Sequence, residues 1–144
     1  MRAKYVIDTN VLISAALTRG VPFQVVEYLV RMNALGFSKE TIGELTSRIM
    51  RSKCDQYVST KDREAYINNL ILSSDLVIIN NLSQGCRDRD DDKFLETALE
   101  GGVQAIISGD QDLLMMNPFK NIEILTAQYF LKKADKYSIG TTHL

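Results

Sequence analysis

The sequence predicts an α/β domain in which a central parallel β-sheet lies between two layers of helices, a three-layer α/β/α sandwich. Short apolar runs alternate along the chain with segments whose apolar residues recur at helical spacing. The helical segments can carry the chain back across the sheet, which favours right-handed crossovers and parallel strands. The 144 residues contain no repeat and no Pro/Gly/Ser-rich linker, so we expect residues 1–144 to form a single domain.

The strands are predicted from five short apolar runs. The run Leu76-Val77-Ile78-Ile79 is the clearest of them, and Leu35-Gly36-Phe37 is the weakest. In chain order, the predicted strands cover residues 5–7, 35–37, 76–79, 105–107 and 122–125. Ligands of such sheets bind outside the carboxyl ends of the strands, so polar residues that directly follow a strand are candidates for a site.

The helices between these strands are predicted from capping residues and from apolar spacing. Pro22 fits the first turn of the second helix, where its missing N–H costs nothing. Ser38 is a plausible N-cap, and Gly101-Gly102 closes a helix at its C-terminus. The predicted helices are residues 11–17, residues 22–32, a helix that contains 41–50, one opened by residues 59–62, residues 93–100, and a last one capped at Thr126.

The composition is that of a globular protein. Hydrophobic residues make up 45% and charged residues 24%, and only 8 Gly and 2 Pro are present, which argues against a long disordered part. The two cysteines, Cys54 and Cys86, cannot form a disulfide framework. With His143 as the only histidine, the chain cannot easily assemble a four-ligand zinc site.

The apolar segments are too short for a membrane protein. The longest run, residues 11–17, is far below the roughly 20 residues that a membrane span needs. Asp8 and Asn10 interrupt the N-terminal apolar stretch where a signal peptide would need it unbroken. We therefore expect a cytoplasmic protein with no membrane contact.

The charge balance argues against a simple polycation, because 17 basic residues stand against 18 acidic ones, a net charge of −1. Basic residues are nevertheless concentrated between the first and middle thirds of the chain. They are either a phosphate-contacting face or merely a solvated one. The set comprises Lys39, Arg48, Arg51, Lys53, Lys61 and Arg63.

Carboxylates follow two of the predicted strands. Asp8 comes directly after the first strand, and Asp110 comes shortly after the fourth. Parallel strands bring their carboxyl ends to one edge of the sheet, where these charges would repel one another unless a cation neutralised them. Oxygen ligands without histidine or thiolate suit Mg²⁺ or Mn²⁺. A calcium loop of the EF-hand type starting at Asp88 is excluded, because Lys93 stands where glycine is required.

The helical spacing of apolar residues identifies Asp91 as a candidate site residue but does not identify Glu44. Phe94, Leu95 and Ala98 lie three, four and seven residues after Asp91, which places Asp91 on the inward stripe at the start of its helix. The alternative is that the acids there only complement the helix dipole. Glu44 points well away from its helix's expected buried stripe and could simply pair with Arg48.

Four segments, in order and in register, resemble the PIN-domain nucleases over nearly the whole chain. They are residues 6–12, Ser38 followed by Glu44, residues 87–98, and residues 107–114. Within that family, the sequence resembles most the bacterial and archaeal branch that includes toxin components of toxin–antitoxin systems. An Asp-Thr-Asn such as residues 8–10 is common by itself, and it is the combination of four segments that makes the resemblance specific.

The resemblance assigns the family's four acids to Asp8, Glu44, Asp91 and Asp110 as the catalytic set. It implies metal ligation by Asp8, Asp91, Asp110 and Asp112, with Asn10 and Ser108 as supporting hydrogen-bond partners of the carboxylates. Two departures are visible, since Arg89 stands where this branch usually has proline and Ser108 where threonine is commoner. Neither removes a ligand.

The resemblance also implies the activity and the partners. We expect hydrolysis of RNA phosphodiester bonds with Mg²⁺ or Mn²⁺ as cofactor, through one or two ions. A role as a toxin would require a cognate antitoxin protein, and homodimers are common in the family. Two alternatives stay open: a PIN-like RNA-binding module without catalysis, and a phosphatase of the haloacid dehalogenase type. The phosphatase needs a second aspartate where Asn10 stands.

Overall fold

A computed structural model of the chain describes residues 3–80 and 91–142, with side chains up to residue 134. Its sheet consists of five parallel strands in the order β3-β2-β1-β4-β5. The strands are β1 Tyr5–Ile7, β2 Leu35–Ser38, β3 Ser74–Val77, β4 Ala105–Ile107 and β5 Glu123–Leu125. Helices cover both faces of the sheet, which confirms the predicted α/β/α architecture.

Seven helices and one short 3₁₀ turn connect and flank the described strands. They are α1 Thr9–Leu17, α2 Val21–Arg31, α3 Lys39–Ile49, the 3₁₀ turn Ser52–Cys54, α4 Thr60–Leu72, α5 Asp92–Gly101, α6 Gln111–Leu114 and α7 Ala127–Thr142. The predicted cap at Ser38 is present, because its side chain accepts from the Thr41 N–H at 3.2 Å. Gly102 ends α5 in the left-handed conformation, with φ of 61°.

Strand residues alternate between two apolar cores because successive side chains point to opposite faces of the sheet. Ile7, Ile107 and Leu125 pack with helices α1, α2, α3, α4 and α7 on one face. On the other face, residues one position earlier in each strand pack with α5 and α6, namely Val6, Ile106 and Ile124. The near-continuous apolar strands are typical of a parallel sheet that is covered on both sides.

Two predicted elements have boundaries that differ from the structure by two residues. Helix α1 begins at Thr9 rather than residue 11, directly after the strand. Strand β3 covers Ser74–Val77 rather than residues 76–79, since its ladder with β2 pairs Leu35 with Ser74. The apolar run of β3 extends past the ladder to Ile78. Because β3 lies at the sheet edge, its apolar residues are not all covered, and the exposed fractions of Leu76 and Ile78 are 65% and 67%.

The pairing of β1 with β4 determines where the site lies. Ile7 at the end of β1 is the register partner of Ile107 at the end of β4. Asp8 and Ser108 therefore leave the sheet side by side. Within the described part of the chain, no helix has both the length and the apolar character needed to cross a bilayer.

Candidate active site

Asp8 is a buried carboxylate at the carboxyl end of β1, with an exposed fraction of only 4%. Its backbone N–H donates to the Ile107 carbonyl at 2.9 Å, and its Oδ2 accepts from the Ser108 hydroxyl at 2.7 Å. Burial raises the pKa of Asp8, and the nearby charges of Asp110 and Glu44 raise it further. The hydrogen bonds from the Ser108 hydroxyl and the backbone N–H of Asn10 lower this pKa.

Asp8 occupies the N-cap position of α1, with no side-chain capping hydrogen bond of good geometry. The backbone N–H of Asn10 faces the Asp8 carboxylate and lowers its pKa. The Asn10 side chain is exposed and forms no hydrogen bond with another described residue. Its amide is therefore available to a ligand at the entrance of the site.

Ser108 connects the ends of β1 and β4 through one fully buried hydroxyl. The hydroxyl donates to Asp8 and accepts from the backbone N–H of Asp110 at 2.9 Å. A serine or threonine hydroxyl is suited to this arrangement, since it is both donor and acceptor. Asp110 Oδ1 in turn accepts from the Asp112 N–H at 2.8 Å and caps α6. This chain of bonds fixes the loop that carries both aspartates.

Three carboxylates converge at this edge of the sheet. One oxygen each from Asp91, Asp110 and Asp112 lies within 4.8 Å of the others. Asp91 is 6% exposed at the start of α5, as its helical phase predicted, whereas Asp110 and Asp112 are half-buried. Asp8 is outside this group of three but close enough to Asp110 for its pKa to be affected.

Glu44 is engaged by two cations and a hydroxyl. It forms ion pairs with Lys93 and with Arg48, the latter at 3.5 Å, and it accepts from the Thr9 hydroxyl at 2.6 Å. Burial by itself would raise the pKa of Glu44, but the hydrogen bonds from Lys93 and Thr9 and the charges of Lys93 and Arg48 lower it overall. Glu44 is therefore neutralised by this chain's own cations.

The Glu44 side chain is largely buried although its position lies away from the apolar stripe of its helix. Its side chain is only 10% exposed because α3 contacts α1 and α5, so that more than one stripe of this helix is covered. The expected pair with Arg48 is present.

The contact of Lys93 with Glu44 was not predicted from the sequence; Lys93 lies two residues after Asp91 in the first turn of α5. The register of this turn against α3 is supported by Thr97, whose hydroxyl donates to the Lys93 carbonyl and contacts the Ser38 hydroxyl at 2.8 Å. Asp92 and Glu96 are also buried on α5 and were not assigned to the site. A basic residue directly after an acidic run was the one available signal for Lys93.

Arg63 does not belong to the basic surface to which it was assigned. It is 1% exposed, and its guanidinium donates to the carbonyls of Ile49 at 2.8 Å and Val58 at 3.1 Å. It also pairs with Asp55. The arginine is therefore a structural residue that ties the segment between α3 and α4 to the body of the domain.

Comparison with known proteins identifies the family. Residues 4–112 match the sequence model of the PIN domain. The chain belongs to the PIN domain family. This confirms the resemblance inferred from the four acidic segments. Of the residues discussed above, Arg87, Asp88, Arg89 and Asp90 lie outside the described residues, as do Cys86 and His143.

Individual relatives of this PIN domain are distant in sequence. An uncharacterized protein of Methanocaldococcus jannaschii, MJ1680, is 28% identical over an alignment of 148 positions that covers 95% of each chain. The crystal structure of PAE2754 from Pyrobaculum aerophilum has a TM-score of 0.64 at 15% identity, covering 92% of this chain and 90% of that one. VapBC2 from Rickettsia felis, bound to a DNA fragment from its promoter, includes a chain with a TM-score of 0.56 at 12% identity. That match covers 83% of this chain and 96% of the other.

Proposed function

We propose that this PIN domain is a metal-dependent endoribonuclease that hydrolyses RNA phosphodiester bonds at its carboxylate cluster. The observation that carries the proposal is the convergence of Asp91, Asp110 and Asp112 within 4.8 Å, beside the buried Asp8. Three acids crowded at the carboxyl edge of a parallel sheet repel one another, which favours binding of a cation over an empty site.

The donor set fits Mg²⁺ or Mn²⁺. Every candidate ligand is a carboxylate oxygen, and these hard cations prefer oxygen ligands and are commonly shared with a substrate phosphate. Asp91, Asp110 and Asp112 would hold the ion, with Asp8 completing the set. A bound ion would supply Lewis-acid chemistry, which offsets the negative charge that builds up on the phosphate.

Residues around the carboxylate cluster hold its carboxylates and the nearby cations in fixed positions. Ser108 holds Asp8 and the Asp110 loop in one geometry through its hydroxyl, which limits the reorganisation that substrate binding requires. Glu44 is already neutralised by Lys93 and Arg48, so we assign it to the positioning of these two cations near the scissile phosphate. In this scheme the nucleophile is water, oriented by the carboxylates, and no side chain forms a covalent intermediate.

We also propose that the protein is the toxin of a toxin–antitoxin pair. The structural similarity to a chain of VapBC2 from Rickettsia felis supports this role, together with the resemblance to the toxin branch of the family. A cognate antitoxin protein would be the partner, the cytoplasm the compartment and a homodimer the oligomeric state. Co-expression with the product of the adjacent gene, followed by light scattering of the purified material, tests the partner and the oligomeric state together.

The nuclease proposal is tested by incubating pure protein with labelled single-stranded and structured RNAs, and with DNA of the same sequences. Each reaction contains Mg²⁺, Mn²⁺ or a chelator. Asp8→Asn removes the buried carboxylate, and Glu27→Gln is the matched control because Glu27 is an exposed acid on α2. We expect chelator-sensitive cleavage of RNA by wild type and Glu27→Gln, and none by Asp8→Asn. Binding of RNA without cleavage in any metal would favour the non-catalytic module instead.

A further inference from the structure

A basic groove lies between α1 and the segment that follows α3. It has a volume of about 290 Å³ and is lined by Asn10, Ile13, Arg48, Arg51, Lys53 and Tyr57, among others. Two of these residues connect the basic groove to the site. The backbone N–H of Asn10 faces the Asp8 carboxylate, and the Arg48 guanidinium lies 3.5 Å from Glu44.

The charge of the basic groove is positive and largely uncompensated. Arg51 and Lys53 are exposed, and neither forms an ion pair with a residue that the structure describes. None of the described residues that line the basic groove is acidic. Arg51 and Lys53 can therefore bind phosphates of a polyanion while another phosphate of the same molecule binds at the carboxylate site.

The basic groove is also lined by an exposed aromatic residue. Tyr57 is 62% exposed and also lines the neighbouring depression, of about 470 Å³, where the Arg19 guanidinium lies 4.6 Å above the centre of the Phe23 ring. Cations alternating with aromatic faces are the usual surface for single-stranded nucleic acid, because phosphates bind the cations and bases stack on the rings.

The segment that carries these residues is fixed from inside. Arg63 donates to the carbonyls of Ile49 and Val58, which bracket the segment, and pairs with Asp55 within it. Its buried guanidinium therefore holds Arg51, Lys53 and Tyr57 at the surface in one backbone conformation. A preorganised surface loses less conformational entropy on binding than a mobile loop would.

We propose that the basic groove is a subsite for the single-stranded RNA that flanks the scissile phosphodiester, with phosphates bound by Arg51 and Lys53 and one base stacked on Tyr57. The inference rests on the proposed ribonuclease function for the identity of the polyanion. It goes beyond that function by assigning residues outside the carboxylate cluster to substrate binding.

The test measures RNA binding in chelator, where cleavage does not occur, as fluorescence anisotropy of a short labelled RNA pool of random sequence. The affinity is measured over a series of salt concentrations for wild type and for the double variant Arg51→Gln/Lys53→Gln. Because single strands give a slope of about −0.7 in log K per phosphate contact, removing two contacts should make the slope less negative by about 1.4. The control Arg31→Gln/Lys132→Gln removes the same charge from exposed positions on α2 and α7 and should leave the slope unchanged.

Tyr57→Leu is the second, independent variant. It retains apolar bulk but removes the aromatic face, and we expect roughly a tenfold loss of affinity with no change in the salt slope. The proposal is overturned if the groove and control double variants have the same slope, or if Tyr57→Leu binds as tightly as wild type. The alternative occupant is an acidic protein partner, which is tested by competition of an acidic peptide with the labelled RNA. Equal competition by the peptide in wild type and in the groove double variant would exclude such a partner for this surface. Cleavage by wild type in Mg²⁺ or Mn²⁺ is scored separately, so a failed subsite and a failed nuclease are distinguishable.

Discussion

The ion pair between Lys93 and Glu44 should contribute measurably to the stability of the metal-free protein. Their side chains are 20% and 10% exposed, so the pair is only weakly screened by solvent. In Lys93→Met, Glu44 keeps the Thr9 hydroxyl and the more distant Arg48, so its charge is only partly compensated. Removing one partner of a fully buried pair costs about 3–5 kcal/mol, and a net hydrogen bond to a charged group contributes about 1.5–3 kcal/mol.

We therefore expect Lys93→Met to lower the free energy of unfolding by about 2 kcal/mol, a decrease in melting temperature of about 5–10 °C for a domain of this size. Glu44→Gln should destabilise the protein as well, since it removes the carboxylate that pairs with the Lys93 ammonium. The double variant should lose less than the sum of the two single variants, by about 1–2 kcal/mol. Lys132→Met, an exposed cation on α7, is the control and should change stability by less than about 0.5 kcal/mol.

The assay is urea unfolding in chelator for all five proteins, followed by circular dichroism, at several pH values. The folded-state pKa of Glu44 lies below its ordinary value of 4.5, so its contribution is present above pH 4.5 and is lost as the pH falls through the lowered pKa. The difference between wild type and Glu44→Gln should shrink accordingly in acid. Additive losses in the two single variants, with no coupling at pH 7, would refute the reasoning.

Three further predictions concern Asp8, Asp112 and Arg63. Asp8→Asn should raise the melting temperature in chelator, because burial raises the pKa of Asp8 and the native state binds more protons than the unfolded one just above pH 3.8. Wild-type stability thus falls as the pH rises through that interval, so the gain should be largest at neutral pH and absent below pH 3.8; a variant that melts at or below wild type at pH 7 would contradict this. Mg²⁺ or Mn²⁺ at about 100 times its dissociation constant should add about 2.7 kcal/mol to the free energy of unfolding of wild type, and less in Asp112→Asn. Thermal melts with equal metal shifts in both proteins would count against Asp112 as a ligand. Arg63→Met should cost about 3–5 kcal/mol, since the carbonyls of Ile49 and Val58 lose their donor, and a loss under about 1 kcal/mol in urea unfolding would be inconsistent with that role.

The sequence predicted the sheet and its acidic edge because both depend on local patterns. Alternating apolar runs and helices imply parallel strands, and parallel strands bring Asp8 and Asp110 to one edge without further information. Asp91 was placed correctly inward because the helix it introduces has a single dominant apolar stripe. The strand at the sheet edge was misplaced, since the apolar run continues beyond the ladder at Ile78, and edge residues such as Leu76 and Ile78 are exposed although they are apolar.

The features that the sequence did not reveal depend on contacts distant in the chain. Glu44 could not be placed by periodicity, because α3 is covered by both α1 and α5 and a helical pattern records only the apolar stripe. Lys93 reaches Glu44 across 49 residues of sequence. Arg63 was predicted to be a surface cation, because no local pattern shows that carbonyls of another segment surround its guanidinium.

Asp91 and its neighbours are the residues that would form the metal site of the proposed ribonuclease. The most direct measurement is the rate of RNA cleavage as a function of Mn²⁺ concentration, for wild type and for Asp91→Asn, with folding of both checked by circular dichroism. We predict saturable, Mn²⁺-dependent cleavage by wild type and a rate at least about 100-fold lower in Asp91→Asn at every Mn²⁺ concentration. The same rate and the same Mn²⁺ dependence in both proteins would contradict the assignment.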